Sequence, residues 1–347
     1  MSPLPSLLRT FPLTSLSILV GADDHFDKGS FLTVIDNHRM PHILVLGGIN
    51  MGLITKTPRM PSPGETLRGD SFYASSGGKG ATQAVAASRL NSEVKMIGKV
   101  GNDFFAEILR ENLKNNGVDI TNIATDLNKS TGAGVIIVNS DSSQNHIIAT
   151  YGANLECGKD QVGIVTNLVS WADILVLQME IPFDISTQAA MIAKEHGVTV
   201  ILDPAPATKI PTSSYKYFDV ITPNQTEAEL LTGITVYDKN SAKQAAELLF
   251  KRGIPIVIIK IGEQGVYYLT KDESDFIPPF KVNAVDTTSA GDAFSGALAV
   301  CIAEKKPIKE SIVFSSAAGA MAVTKLGVQD SMPYLKEINA LLKNNNF

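Results

Sequence analysis

From His42 onward the sequence predicts an α/β fold, a mostly parallel sheet with helices on both faces and a small second sheet of β-strands. Three observations carry this. After Asn154, strand-length apolar runs alternate with helix-length amphipathic ones. Glycine- or proline-bearing turns follow several of those runs. Two earlier stretches, far apart in the chain, alternate and are rich in β-branched residues, the character of antiparallel strands.

Residues 43–46 are an apolar run ending in Gly47-Gly48, the pattern of a buried first strand entering a turn. Residues 66–75 and 134–150 are the two alternating stretches, with polar turn material at 139–145. Between them, 81–90 has helical spacing, 95–100 reads as a strand and 104–116 as a helix. Later strands are expected at 174–178, 199–203, 220–222 and 257–261, and helices at 185–196, 226–232, 241–252, 289–304, 308–324 and 335–343. Open α/β sheets bind ligands at the carboxyl ends of their strands. A small sheet with strands drawn from 50–76 and 132–151 is expected to lie over those ends as a lid.

Residues 1–40 follow no such rhythm. Residues 13–20 form a modest apolar run after a single Arg9, and no small-residue cleavage site precedes the charged stretch 23–28. The segment is expected to be a poorly ordered extension, or residues upstream of a start at Met40, ahead of one domain spanning 41–343.

The chain has 347 residues, 44% of them hydrophobic, enough for one large α/β domain or two smaller ones with a substantial core. Its 30 basic and 35 acidic side chains give a formal charge of −5 with no long block of one sign, so neither nucleic acid nor a membrane surface is an expected partner. Cys157 and Cys301 lack metal-ligand spacing, and a cytoplasmic, reducing setting fits them. No apolar stretch reaches bilayer length.

The run Asp286-Thr287-Thr288-Ser289-Ala290-Gly291-Asp292-Ala293-Phe294-Ser295-Gly296-Ala297 opens directly into an apolar helix. A helix start presents unpaired N–H groups and the positive end of the helix dipole, which attract phosphate. Ala290 and Gly291 let an anion approach the backbone. Asp292 falls in the first turn, and a carboxylate beside a phosphate site repels the ligand unless it has a task. Taking a proton from an attacking hydroxyl is such a task. The plain alternative is that Asp286 and Asp292 only cap the helix.

Other turns are ambiguous on their own. Gly77-Gly78-Lys79-Gly80-Ala81-Thr82-Gln83-Ala84 precedes a helix, but its spacing is neither a dinucleotide fingerprint nor a Walker loop. Asn224 to Glu227 follows a strand and opens a helix, where Asn224 or Thr226 could be a simple cap. Lys260 to Gly265 reads as a hairpin turn, Asp203-Pro204-Ala205-Pro206 as a rigid loop, and Glu180 as a surface carboxylate.

Together, however, these runs resemble the signatures of the ribokinase-like (PfkB-type) carbohydrate kinase family, in family order from about His42 to Ser331. The resemblance implies a three-layer α/β/α domain with a β-sheet lid and ATP-dependent phosphorylation of a sugar hydroxymethyl group. Asp292 is then the general base, and the N–H groups around Ala290 and Gly291 stabilise the phosphoryl group in transfer. The same resemblance implies that Asn50, Gly52, Gly78, Lys79, Gly80, Thr82 and Glu180 face the sugar. Asn224, Lys260, Gly262, Gly265, Gly291 and Ser316 face ATP. Glu227 orders water around Mg²⁺, and Asp286, Thr288, Lys325, Gly327 and Ser331 form a site for a monovalent cation, K⁺, although a plain solvated loop explains 324–331 equally well. Pairing of two lids into a homodimer is also implied.

Two residues depart from the family pattern. Gly52 stands where the family usually has an Asp that holds sugar hydroxyls, and Thr82 where it usually has Asn. A hydrogen bond to a charged group is worth roughly 1.5–3 kcal/mol. Its loss weakens binding by about ten- to a hundredfold. The expected acceptor is ribose, giving ribose 5-phosphate, with a nucleoside or another sugar as the alternative. A non-catalytic sugar- or nucleotide-binding member is the third reading.

Overall fold

The computed structural model describes residues 39–140 and 145–345; the expectation for the N-terminal extension falls outside the described residues, apart from its last two. The first half of the chain contains β1 (His42–Leu46), β2 (Asn50–Thr57), β3 (Ser71–Gly77), α1 (Lys79–Ser88), β4 (Glu93–Gly101), α2 (Phe104–Asn115), β5 (Val118–Asp126), β6 (Gly132–Asn139) and β7 (Asn145–Thr150). The regular αβ alternation follows as α3 (Lys159–Leu168), β8 (Ile174–Leu177), α4 (Phe183–Glu195), β9 (Thr199–Leu202), β10 (Val220–Ile221), α5 (Gln225–Thr232), α6 (Lys239–Lys251) and β11 (Ile256–Lys260). The chain then forms β12 (Val266–Leu269), β13 (Ser274–Ile277), α7 (Ala290–Ala303), α8 (Ile308–Ala322) and α9 (Leu335–Asn344).

Nine strands make the main sheet in the order β13-β12-β11-β10-β9-β8-β1-β4-β5. All neighbours from β5 to β11 are parallel, and β12 and β13 are added antiparallel at one edge. Strand β1 shows why there are three layers. Ile43 and Val45 point to a core shared with α1, α2, α7 and α8, while Leu44 and Leu46 point to one shared with α3, α4, α5 and α6. Successive strand residues face opposite sides, so a continuously apolar strand demands helices on both.

The second sheet has four strands, β3-β2-β6-β7. Here the strand assignments shift. Residues 66–70 are not strand, and β2, which was not singled out as a strand, occupies the centre. Its pairing with β6 is parallel, not antiparallel, because the two strands arrive by different crossovers. Three further elements escaped the sequence patterns. Strands β5 and β13 lie at the edges of the main sheet, where half-exposed polar residues blur alternation. Helix α3 contains Gly163 and four β-branched residues, which lower its intrinsic preference. Among the described residues no helix is long and apolar enough to cross a membrane.

Candidate active site

Helix α7 begins at Ala290, and no side chain caps its first turn. Apart from a long 3.4 Å bond from Ala290 N to the Thr287 carbonyl, its leading N–H groups and the positive dipole end are therefore not neutralised by a capping oxygen. Two glycines let the helices around this start crowd together. A Cβ at Gly296 would come 2.6 Å from Ala86 of α1, and one at Gly319 of α8 would come 3.1 Å from the Ala290 carbonyl. A Cβ at Gly291 would lie 3.2 Å from the Lys260 ammonium, so a cation stands beside the uncapped turn.

Asp292, one residue further, keeps only 5% of its surface exposed. Its Oδ1 accepts a hydrogen bond from Gln83 Nε2 at 2.9 Å, and Lys79 Nζ approaches it at 3.9 Å. The other hydrogen of the same amide reaches Asp203 Oδ2, also at 2.9 Å. Asp203 Oδ1 is paired with Lys260 Nζ at 3.1 Å and accepts a longer bond from Thr222 Oγ1. Glu180 Oε2 accepts the backbone N–H of Lys79 at 2.7 Å. Glu180, Asp203, Thr222 and Lys260 follow or end the parallel strands β8, β9, β10 and β11, the end of the sheet where α/β folds place ligands.

The charges in this cluster do not balance. Burial holds Asp292 above its ordinary range despite the Lys79 ammonium, and likewise Glu227 despite Lys260. Burial pushes the Glu180 carboxyl up to about 7. Burial also works against the Lys79 charge, but Asp292, Asp203 and Glu180 outweigh it and hold that ammonium protonated well beyond its usual range. An elevated carboxylate next to a fixed cation, beside an anion-seeking helix end, is suited to accepting a proton from a hydroxyl.

On the acceptor side, Asn50 Oδ1 accepts a hydrogen bond from buried Asn154 Nδ2 at 2.7 Å, and Asn154 also bonds both backbone groups of Ile49. The glycines before α1 are required by the protein's own backbone. Gly78 has φ +87°, and a Cβ there would meet the Asn50 nitrogen at 2.5 Å; one at Gly80 would meet the Gly47 carbonyl carbon at 2.8 Å. This close crossing brings the N-terminus of α1, with Lys79, under the lid. Gly52 lies two residues after Asn50 on the same face of β2, opposite Ser75 on one side and Gly134 on the other. Thr82 is fully buried, and its Oγ1 has no hydrogen-bond partner.

On the other side of the α7 start, Asn224 caps α5. Its side chain accepts the Glu227 N–H at 2.9 Å, while Glu227 accepts from Asn224 N and Nδ2. The capping reading and the family reading are thus both compatible with this motif, since capping fixes the pair beside Lys260, with which Asn224 forms a lone β-bridge. Gly265, at φ +115°, sits where a Cβ would strike the Ile277 carbonyl at 2.3 Å, so the hairpin itself demands it. Gly262 shares that turn. Ser316 lies on α8 one turn before Gly319, and its Oγ is buried without a partner.

The loop residues divide. Asp286 Oδ1 accepts from Thr288 N and Oγ1, and its Oδ2 faces Gly327 N at 3.4 Å, so these three gather. Ser331 bonds the Val328 carbonyl, and the Lys325 ammonium is turned to Glu337 of α9. The segment also rests on the lid, with Val328 N bonded to Ser75 Oγ and Gln329 N to the Ser76 carbonyl.

Sequence reasoning missed Gln83, Gln178, Asp203 and Asn154. Gln83 stood inside a quoted signature, and Asp203 headed a loop that resembles the family's loop after a central strand but to which no role was given. Neither carried a local signal of its partners.

A model of the pfkB family of carbohydrate kinases matches residues 40–335. Ribokinase from Haemophilus influenzae is 40% identical over 295 residues, covering 85% of this chain and 96% of its own. Deoxyribokinase from Salmonella typhi is 37% identical over 304 residues, covering 87% and 99%. Arabidopsis thaliana ribokinase, solved with ribose and ATP, superposes with a TM-score of 0.81 at 33% identity, covering 88% of this chain and 99% of that one. The buried carboxylate at an uncapped helix start, the lid and these likenesses agree: the chain belongs to the pfkB family of carbohydrate kinases, phosphotransferases that act on an alcohol group.

Proposed function

We propose that the protein is a cytoplasmic ATP-dependent kinase that phosphorylates the hydroxymethyl group of ribose, giving ribose 5-phosphate. The observation that carries this is the buried Asp292 carboxylate in the first turn of an uncapped helix, with Lys79 and Lys260 on either side. The acceptor hydroxyl oxygen attacks the γ-phosphorus while its proton passes to Asp292. The bond from the γ-phosphorus to the bridging oxygen breaks, and ADP leaves. The N–H groups of Ala290 and Gly291, with Lys260, stabilise the charge on the transferring group. The domain acting in this way spans 41–343, and its lid excludes water.

Asn224, Lys260, Gly262, Gly265, Gly291 and Ser316 surround the nucleotide in this reading. Asn50, Gly78, Lys79, Gly80, Thr82 and Glu180 surround the sugar. Both Glu227 oxygens already accept hydrogen bonds from Asn224, which suits a carboxylate that orders metal-bound water better than one that ligates directly. Mg²⁺ bound there with ATP supplies charge neutralisation on the phosphates. The Asp286 carboxylate and the loop through Gly327 and Ser331 offer oxygen donors of the kind K⁺ takes, and Thr288 fixes the carboxylate's orientation. Lys325 contributes only through its backbone in this arrangement, since its ammonium is held by Glu337. Exposed Phe72 and Ile148 on the lid support pairing of two lids in a homodimer.

A second acceptor is favoured by one observation. Gly52 leaves no carboxylate on the face it shares with Asn50, and its neighbour across the strand, Gly134, has nothing within 4 Å of where a Cβ would sit. This leaves room for a nucleoside or for another sugar. ADP release measured with ribose, 2-deoxyribose, hexoses and nucleosides decides between them. Highest kcat/KM for ribose supports the main reading, and a nucleoside or hexose ahead of ribose overturns it.

A further inference from the structure

Among the described residues, Gln83 is the one side chain hydrogen-bonded to both buried aspartates. It is 1% exposed, and its amide nitrogen divides its two hydrogens between Asp292 Oδ1 and Asp203 Oδ2, each at 2.9 Å. An amide can be turned end for end, which would aim its oxygen at the carboxylates and repel them. The orientation is fixed from behind, because Gln178 Nε2 donates to Gln83 Oε1 at 2.8 Å. The backbone is fixed as well, since a Cβ at Gly296 would lie 2.8 Å from the Gln83 carbonyl and α1 is wedged against the helix that carries Asp292.

Two consequences follow from this geometry. The bridge and the Lys79 ammonium both fall on Oδ1 of Asp292, and no hydrogen bond from the described residues reaches Oδ2. The two carboxylates are also bridged by a neutral donor, which offers each of them a hydrogen. We infer that Gln83 is a positioning residue: it occupies Oδ1 of Asp292, leaves Oδ2 as the oxygen that takes the acceptor's proton, and favours the ionised form of Asp292 by donating to it. The role rests on the base reading of Asp292 given above. Gln178 supports it by setting the amide's sense.

Gln83→Met keeps the length of the side chain and removes both donors. The test follows the ¹³Cγ signal of Asp292 through a pH titration of the full-length protein without ligands, assigned by its loss in Asp292→Asn. In Gln83→Met its midpoint is expected to rise by about one pH unit, because the hydrogen bond that Gln83 donates to the Asp292 carboxylate is gone. The acidic limb of the kcat profile is expected to rise with it, while KM for ATP stays within about threefold. Gln178→Met frees the amide to turn and is expected to move the midpoint in the same direction by less. An unmoved midpoint in Gln83→Met overturns the inference, and if that variant does not fold, an unmoved midpoint in folded Gln178→Met does so. The titration needs no turnover, so an inactive wild-type protein would sink the kinase reading and leave this result standing by itself.

Discussion

The two halves of the cleft are built in different ways. At the sheet ends, Asp292, Asp203, Lys79, Lys260, Gln83 and Glu180 are buried or half-buried and joined by short bonds that span the whole chain. The lid is a thin four-stranded sheet whose Phe72 and Ile148 remain 67% and 65% exposed, and whose face over the cleft carries glycine at 52 and 134. Altering one member of the first group leaves a buried charge without its partner, which is costly. Changing a residue on the lid alters a surface. On the reading proposed above, the departures of this chain from the family pattern, at Gly52 and Thr82, fall on the acceptor side, and Asp292 and the helix start are kept. On the same reading, the phosphoryl-transfer residues all lie at the sheet ends, while acceptor choice also draws on the lid, so the two can be altered separately.

The sharpest way to break that division is Asp292→Asn. If the base belongs to the first part alone, kcat falls by about a thousandfold, within the span expected for a lost general base. KM for ATP changes little. Coupled ADP-release kinetics check it, and near-normal turnover would remove Asp292 from the chemistry and with it the division itself.

Gly52→Asp probes the second part. The new carboxylate stands on the same face as Asn50, where it can accept sugar hydroxyls. A Cβ there meets the Ser75 carbonyl at 3.2 Å and Ile54 Cδ1 at 3.3 Å, so β3 must yield by a few tenths of an ångström. The expected gain is therefore at the low end for a charged hydrogen bond, a fall in KM for ribose of about tenfold with kcat little changed. Gly134→Ala, which meets nothing, is the neutral control. An unchanged or higher KM for ribose in Gly52→Asp counts against ribose as the natural acceptor.

A smaller effect is expected at Ile148→Lys. The residue is paired in register with Val135 on the lid and lies exposed. A charge there should weaken a lid-to-lid dimer by about tenfold or more while leaving the Tm of the folded chain within a degree or two. Sedimentation across a concentration series reads this. Identical association of variant and wild type would move the interface elsewhere.

What could be read from the sequence follows the same line. Asp292, Gly291 and Lys79 stand inside contiguous runs whose chemistry is local, a helix start and a glycine turn, and they meet in space. The parallel sheet was legible because buried strands are continuously apolar, as β1 and β8 are. Gln83 was quoted and passed over because its two acceptors lie 120 and 209 residues away. Asn154 likewise reaches back 104 residues to Asn50. Strand β2, with Gly52 near its start and Thr55-Lys56-Thr57 at its far end, has neither a clean alternation nor an apolar run, so the centre of the lid was the part least visible.

Glu180 lies where the two parts meet, and it makes the subtlest prediction. Its carboxyl is pushed up to about 7 by burial, from an ordinary value near 4.5. Between those values the native protein keeps a proton that the unfolded chain has already released. The native state then binds more protons than the unfolded one, so stability falls as pH rises from about 4.5 to 7 and levels off above. Glu180→Gln cannot ionise, and its carbonyl oxygen can still accept the Lys79 N–H that now goes to Oε2. The Tm of the variant minus that of wild type should therefore grow between pH 5 and pH 8, by about 1–2 °C for each kcal/mol involved in a protein of this size. Asp292 and Glu227 are shifted the same way in both proteins and largely cancel from the difference. A difference that stays flat with pH would mean that Lys79 fully compensates the Glu180 charge, and that the strain at the sheet ends sits on Asp292 and Glu227.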